Sequence, residues 1–130
     1  MKKKLTPVHY FMVIGVIVFG GLIAFASYQG LAPSPYDAFA QCLTEKNAKM
    51  WGTWWCPNCE NQKKLFGKSF DNVTYVECSS PGQRNQLAVC QQAGITNYPT
   101  WEFTDGSRIT GTTPLEDLAK KTGCSLPTSP

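Results

Sequence analysis

Trp54-Trp55-Cys56-Pro57-Asn58-Cys59 is the stretch on which the fold turns. Ahead of it, Ala48 to Thr53 reads as a short strand. Behind it, Pro57 to Phe66 reads as a helix with Leu65 and Phe66 as apolar anchors. Proline lacks an amide hydrogen and loses nothing at the first helical position, so Pro57 marks the start. Two residues between the cysteines allow a disulfide that closes the first helical turn. Cys56 then stands at the positive end of the helix, where orphan amides and peptide dipoles favour a thiolate. Cys59, facing back from the first turn, is placed to resolve a mixed disulfide. Trp54, Trp55, Pro57 and Asn58 would border the site and contact a substrate. Two plainer readings compete: an inert structural bridge, and half of a zinc site completed by Cys78 and Cys90. Placement between a strand and a helix favours redox chemistry over both.

Outward from the motif, the pattern is helix, strand, helix, strand, helix, strand, strand, helix. Ser34-Pro35-Tyr36-Asp37 predicts a helix start with serine as cap, running to about Lys46. Val73 to Cys78 reads as a second strand, Ser79 to Gly82 as a turn and Gln83 to Ala93 as a helix. Thr100 to Phe103 and Arg108 to Thr110 flank Asp105-Gly106, a hairpin signal. Thr113-Pro114-Leu115-Glu116 predicts a last capped helix, stopped by Gly123. This order suits an α/β domain, a central mixed sheet with flanking helices. Trp51, Phe66, Phe70, Tyr75 and Phe103 are expected in its core, and Trp101 in the core or at the site.

The chain has 130 residues, 42% apolar and 16% charged. Much of the apolar share lies in Phe11 to Ala26. Of 12 lysines and arginines against 9 acids, Lys2, Lys3 and Lys4 supply the whole net charge of +3. The remainder is balanced, which argues against a nucleic-acid partner. His9 is the single histidine and precedes the apolar run, which excludes histidine-based catalysis and histidine-rich metal sites; no metal or other cofactor is expected. Val8 to Tyr28 is long enough as a helix to cross a hydrocarbon core of about 30 Å. With lysines before it, it predicts a single-pass anchor in the cytoplasmic membrane, with the following domain periplasmic or extracellular. The alternative is a cleavable signal peptide ending at Ala24-Phe25-Ala26. The expected divisions are a cytoplasmic basic tail at 1–7, the lipid-embedded anchor at 8–28, a linker at 29–33, the folded domain at 34–126 and a tail at 127–130.

Strand, Trp-Cys-Pro-Asn-Cys, helix and the later Tyr98-Pro99-Thr100 together resemble the thioredoxin superfamily. The segment Tyr36 to Cys124 is more closely similar to the thioredoxin-like domain linked to bacterial homologues of vitamin K epoxide reductase. The pieces that carry this are Phe39-Ala-Gln-Cys-Leu-Thr-Glu-Lys46, Trp54 to Cys59 with Gln62-Lys-Lys-Leu-Phe-Gly67, Tyr75-Val-Glu-Cys78, Cys90-Gln-Gln-Ala-Gly-Ile95, Tyr98-Pro-Thr-Trp101 and Asp105-Gly106. The resemblance implies a thioredoxin-like fold, Cys56 as nucleophile, Cys59 as resolving thiol and Pro99 as a cis-proline. It also implies a substrate groove that adds Tyr98 and Thr100 to the motif residues. In the fused relatives an integral membrane domain reoxidises the soluble cysteines and passes electrons to a quinone. This chain has room for one membrane segment, so its quinone-linked partner is expected to be a separate protein. Two departures stand out. Met50 takes the place of the buried acid found six residues before the first cysteine in ordinary thioredoxins. Asn58 takes the place of a histidine and offers Cys56 no imidazolium charge.

Four cysteines remain. Cys78 ends a strand and Cys90 lies in the next predicted helix, and a bridge between them would clamp the intervening turn; the alternative is two buried thiols. Cys42 and Cys124 would then staple the first helix to the end of the last, although six cysteines allow other pairings. The leading functional expectation is a thiol–disulfide oxidoreductase acting on cysteines of exported proteins, first as a disulfide donor. The alternatives are a reductase or isomerase fed by a membrane electron carrier, and a non-catalytic interaction or assembly domain.

Overall fold

The structure is a computed structural model and describes residues 7–31 and 33–127. Lys2 to Lys4, Ala32 in the expected linker, and the tail beyond Pro127 lie outside the described residues. The chain divides into two units, the first ending at Pro33 and the second beginning at Ser34.

The first unit is one helix, α1 (Pro7–Leu31). It continues through Leu31, into the segment expected as a linker. Within it, Pro7–Tyr28 is a stretch of 22 residues with mean hydropathy 2.2, long and apolar enough to cross a membrane.

The second unit carries α2 (Asp37–Glu45), β1 (Lys49–Gly52), α3 (Pro57–Phe66), a 3-10 turn (Gly67–Asn72), β2 (Thr74–Glu77), α4 (Ala88–Gln92), β3 (Thr100–Glu102), β4 (Arg108–Thr110) and α5 (Leu115–Thr122). The strands form one mixed sheet in the order β2-β1-β3-β4. β1 runs parallel to β2, while β3 is antiparallel to both β1 and β4. This is an α/β arrangement, a mixed sheet with flanking helices, as the order of elements led one to expect. The register is reinforced at one end by charge. Glu102 lies opposite Lys49 on one side and Arg108 on the other, and accepts from both cations. Burial alone would raise the Glu102 carboxyl, but these two partners outweigh it and hold it below the usual carboxylate range.

Side chains alternate across the sheet and build two apolar clusters. Met50 and Trp101, cross-strand neighbours, belong to the larger one with Phe39 and Leu43 of α2, Phe66 of α3 and Leu118 of α5. Phe66 sits between Phe39, stacked at 5.9 Å, and Trp101 at 6.1 Å. Truncating such a ring costs about 3–5 kcal/mol, from lost transfer and the cavity left behind. Trp51 belongs to the smaller cluster, with Cys78, Cys90 and Ile95. Trp101 is fully buried and settles into the core. Phe70 and Tyr75, expected as core, are only partly buried.

Helix starts differ from the pattern. Ser34 does not cap α2 with its hydroxyl. Its amide donates to Asp37 Oδ2 at 2.8 Å, and the helix opens at Asp37. Pro114 precedes α5 as its cap residue instead of entering it, and no side chain caps that helix. Thr113 is buried because its amide donates to Gln62 Oε1 at 2.6 Å while Gln62 Nε2 donates to its carbonyl at 3.0 Å. That amide–backbone pair ties α3 to the segment before α5. The helix expected over Gln83 to Ala93 forms only from Ala88. Leu87 N donates to Cys78 O and Ser79 bridges Gln86, which draws the preceding residues into an extended hairpin-like loop.

Candidate active site

Cys56 occupies the cap position of α3 in extended backbone geometry (φ −84°, ψ 116°), with Pro57 at the first helical position. That geometry directs the sulfur back over the open helix end, where it accepts the Cys59 amide at 3.3 Å. The thiol of Cys56 also faces the Tyr98 carbonyl at 3.5 Å. Tyr98–Pro99 is a cis peptide bond, and Pro99 is fully buried at the start of β3. The cysteine motif and the proline loop, more than forty positions apart in the chain, are thus brought together.

Cys56 is 6% exposed and Cys59 is 0% exposed, both as free thiols. Burial pushes the Cys59 thiol up to about 12 from its ordinary 9.0, and its side-chain hydrogen bond with Cys56 adds to the rise. A backbone bond from Thr53 and the charge of Lys63 pull weakly the other way. The Cys56 sulfur therefore lies at the helix end beside the proline loop, and Cys59 lies in the first turn behind it as a neutral thiol. That division suits attack at Cys56 and resolution by Cys59.

The rim is built from the motif and from the loop after β2. Trp54, Pro57 and Asn58 are exposed, and Trp55 is half-buried. The Trp54 indole donates to Ser80 O at 3.1 Å and the Trp55 indole to Ser79 Oγ at 2.9 Å. Trp55 meets Tyr98 edge to face, with ring centroids 6.2 Å apart. Gln86 donates to the Tyr98 hydroxyl at 2.8 Å, and burial pushes that phenol's ionisation upward. The Arg84 guanidinium lies 5.5 Å from the Trp55 ring centre. Thr100 differs from its expected place in the groove. It is 3% exposed and donates to Asn97 O at 2.8 Å, so it braces the proline loop from within.

Cys78 and Cys90 are bonded to each other at 2.05 Å, and Cys42 and Cys124 at 2.10 Å. The first bridge removes Cys78 and Cys90 from any zinc set with the motif cysteines. It also anchors the loop on which both tryptophans rest. Among the described residues no cluster of histidine, cysteine, aspartate or glutamate has metal-holding geometry.

Three residues near the motif were not singled out as functional by the sequence. Gly52 lies where a Cβ would meet the Cys59 sulfur at 3.0 Å and the Tyr75 ring at 2.9 Å. Tyr75 donates to Glu77 Oε2 at 2.9 Å. Glu77 Oε1 accepts the amides of Trp54 at 3.2 Å and Ser79 at 3.0 Å. The signal available was the period of two in Tyr75-Val76-Glu77, which puts both polar side chains on one face of the strand.

No family model matches the chain. Thiol-disulfide oxidoreductase LTO1 of Arabidopsis thaliana is 39% identical over 98 residues, covering 72% of this chain. The chain spans about a quarter of that relative, 26% of its length. Among solved structures, the thioredoxin of Malassezia sympodialis (Mala s 13) superposes with a TM-score of 0.41 at 26% identity, over 71% of this chain and 87% of that one. A chain from the crystal structure of a ferredoxin:thioredoxin reductase and thioredoxin f2 complex gives 0.32 at 19% identity, over 57% and 71%.

Proposed function

We propose that this chain, a member of the thioredoxin-like superfamily, is a membrane-anchored thiol–disulfide oxidoreductase that acts outside the cytoplasm on cysteines of exported proteins. The observation that carries the reading is the position of Cys56: at the open end of α3, beside the Tyr98–Pro99 loop and above a buried partner thiol. In the donating direction the oxidised domain carries a Cys56–Cys59 bond. A substrate thiolate attacks the Cys56 sulfur, the Cys59 sulfur leaves with the bonding pair and takes up a proton, and a mixed disulfide remains. A second substrate thiolate attacks the substrate sulfur and expels Cys56. The substrate is oxidised by two electrons and the domain is reduced to the dithiol.

Disulfide donation needs reoxidation, which we assign to a quinone-linked membrane partner like vitamin K epoxide reductase. Support for the anchor comes from the length and apolarity of Pro7–Tyr28; support for the orientation comes from the lysines before it. Trp54, Trp55, Pro57, Asn58 and Tyr98 supply an apolar, partly hydrogen-bonding groove for an extended peptide around the reacting cysteine.

The test is capture. Cys59→Ser in the full chain removes the internal release step, so a long-lived disulfide between Cys56 and substrate proteins accumulates and runs as a reducible band on a non-reducing gel. The double variant lacking Cys56 as well captures nothing. Equal bands in both variants, or no band in either, would leave an interaction domain as the better reading. Protease added to intact spheroplasts tests the location, and a domain that stays protected until lysis contradicts it.

A further inference from the structure

Cys59 must lose or gain a proton in every turnover, and Met50, fully buried and apolar, cannot take part. The parallel register places Tyr75 directly opposite Met50, and Glu77 opposite Gly52. Because Gly52 has no side chain, other groups close in over it. The Cys59 sulfur and the Tyr75 hydroxyl lie 3.0 and 3.1 Å from the point its Cβ would occupy, so the two are no more than about 6 Å apart. One water, or a small side-chain movement, spans such a gap. The phenol already donates to Glu77 Oε2 at 2.9 Å. The other carboxylate oxygen is fixed by the Trp54 and Ser79 amides.

We infer that Glu77, reached through the Tyr75 hydroxyl, accepts and returns the proton of Cys59, in the place left empty by the apolar Met50. The inference deepens the oxidoreductase reading and rests on it. Burial and the bond to Glu77 hold the Tyr75 phenol well above its ordinary ionisation, so it passes a proton on without keeping the charge. Other charged and titratable groups around the path have defined places. Lys63 of α3 lies 4.4 Å from the Tyr75 ring centre and 3.4 Å from Glu60. Cys56 caps α3, and Tyr98 accepts from Gln86. Lys49 and Arg108 are engaged by Glu102 at the other end of β1, and Arg84 lies over Trp55. Lys63 is thus the cation nearest the phenol among these, and its charge favours the anionic form of Cys59.

In resolution, the Cys59 proton moves through Tyr75 to the Glu77 carboxylate. The electron pair left on Cys59 attacks the Cys56 sulfur, the Cys56–Cys59 bond forms, and the bond from Cys56 to the substrate breaks. The substrate sulfur departs as a thiolate and is protonated by solvent. In the opposite direction, Cys59 expelled as a thiolate recovers its proton from Glu77 along the same path.

The experiment separates two steps in the full chain. A peptide is first joined to Cys56 as a mixed disulfide, and release of the peptide thiol is followed from pH 6 to 9 in the parent, Tyr75→Phe and Glu77→Gln. Capture of a disulfide peptide is measured independently in the Cys59→Ser background. Both relay variants should release peptide about 10- to 100-fold more slowly at pH 7, then gain roughly tenfold per pH unit as hydroxide takes over. Capture should change by less than about twofold, a size ordinary for a substitution that leaves the binding contacts alone. Tyr75→Phe leaves every bond of Glu77 to Trp54 and Ser79 in place, so it reads the relay without disturbing the rim. Release at the parent rate in both variants overturns the inference. So does slowing of capture and release by the same factor, which would assign Glu77 to holding Trp54. Absence of capture by Cys59→Ser alone would instead sink the oxidoreductase reading, and is distinguishable because that control carries neither relay substitution.

Discussion

Burial does not separate the Cys56–Cys59 pair from the bridged cysteines. Cys59, Cys78 and Cys90 are each 0% exposed, and Cys124 and Cys56 are nearly as deep at 4% and 6%. The difference lies in what meets each sulfur. Cys56 faces an open helix end, a carbonyl and a rim of exposed residues. Cys78 and Cys90 face one another inside the smaller apolar cluster, and Cys124 lies in the larger one beside its partner Cys42. A sulfur becomes chemically useful where a helix terminus and a route for substrate coincide, and becomes a staple where neither exists. The comparison predicts that removing the two kinds of cysteine damages different properties.

The largest effect belongs to Cys56. Cys56→Ser should lower turnover of a model disulfide by on the order of 10⁴-fold or more, since the covalent route is lost outright. Its unfolding midpoint in urea should stay close to the parent's. If stability falls as far as activity does, Cys56 is a packing residue and the contrast between the pairs collapses.

The staples should behave in the opposite way. Replacing Cys42 and Cys124 by alanine opens a link across a sequence separation of 82, and Cys78 with Cys90 one of 12. On chain entropy alone these cost roughly 4–5 and about 3 kcal/mol. Urea titration of the oxidised variants measures both. Capture by Cys56 at low denaturant should survive the loss of Cys42–Cys124. A variant that keeps its stability but loses capture would move that bridge into the redox machinery.

The sequence carried the strand–motif–helix unit because each part has a local cause: proline at the first helical turn, a cysteine at the cap, a hairpin glycine at Gly106 with φ 75°. It also carried the expectation of both bridges. It misjudged residues 83–87, where a helical composition yields to the pairing of Ser79 with Gln86 and to a bridge that pins both ends of the loop. Thr113 stands where the local pattern places a cap, but a buried glutamine fifty-one positions away claims its amide. Tyr75 has the character of a core residue, and Glu77 that of an ordinary strand carboxylate. Their meaning depends on strand register against Gly52 and Met50, a non-local fact that no local pattern encodes. What was illegible is largely what tertiary partners decide.

Protonation sharpens the contrast further, since a bridged cysteine does not titrate while Cys59 does. In the reduced domain Cys59 stays a thiol up to about 12, whereas in the unfolded chain it ionises near 9.0. A raised folded value means the contribution is complete below the unfolded value and fades as pH rises through the folded one. The reduced form should thus lose stability relative to the oxidised form between pH 9 and 12, on the order of 1 kcal/mol by pH 10. Paired urea titrations of the reduced and oxidised domains at pH 8 and pH 10 check this. A gap between the two forms that does not change over that interval would show that the buried thiol is not held neutral by the fold.

The smallest expected effect probes the place where the two regions touch. Ser79 follows Cys78 directly, and its hydroxyl accepts the Trp55 indole at 2.9 Å, so the stapled loop holds a wall of the groove. Ser79→Ala removes that single bond without altering either ring. A hydrogen bond of this kind contributes about 1 kcal/mol net, equivalent to roughly fivefold in a rate or affinity. Capture of a disulfide peptide by the Cys59→Ser form should weaken by about that factor, while release from a preformed mixed disulfide, which needs no groove, should hold steady. Trp55→Phe should reproduce the loss and add little when combined with Ser79→Ala, because both substitutions delete the same bond. Fully additive losses would mean that the indole serves substrate through its ring and not through the bridge-anchored loop. The staple would then support the fold alone, and the two kinds of cysteine pair would be independent in function as well as in surroundings.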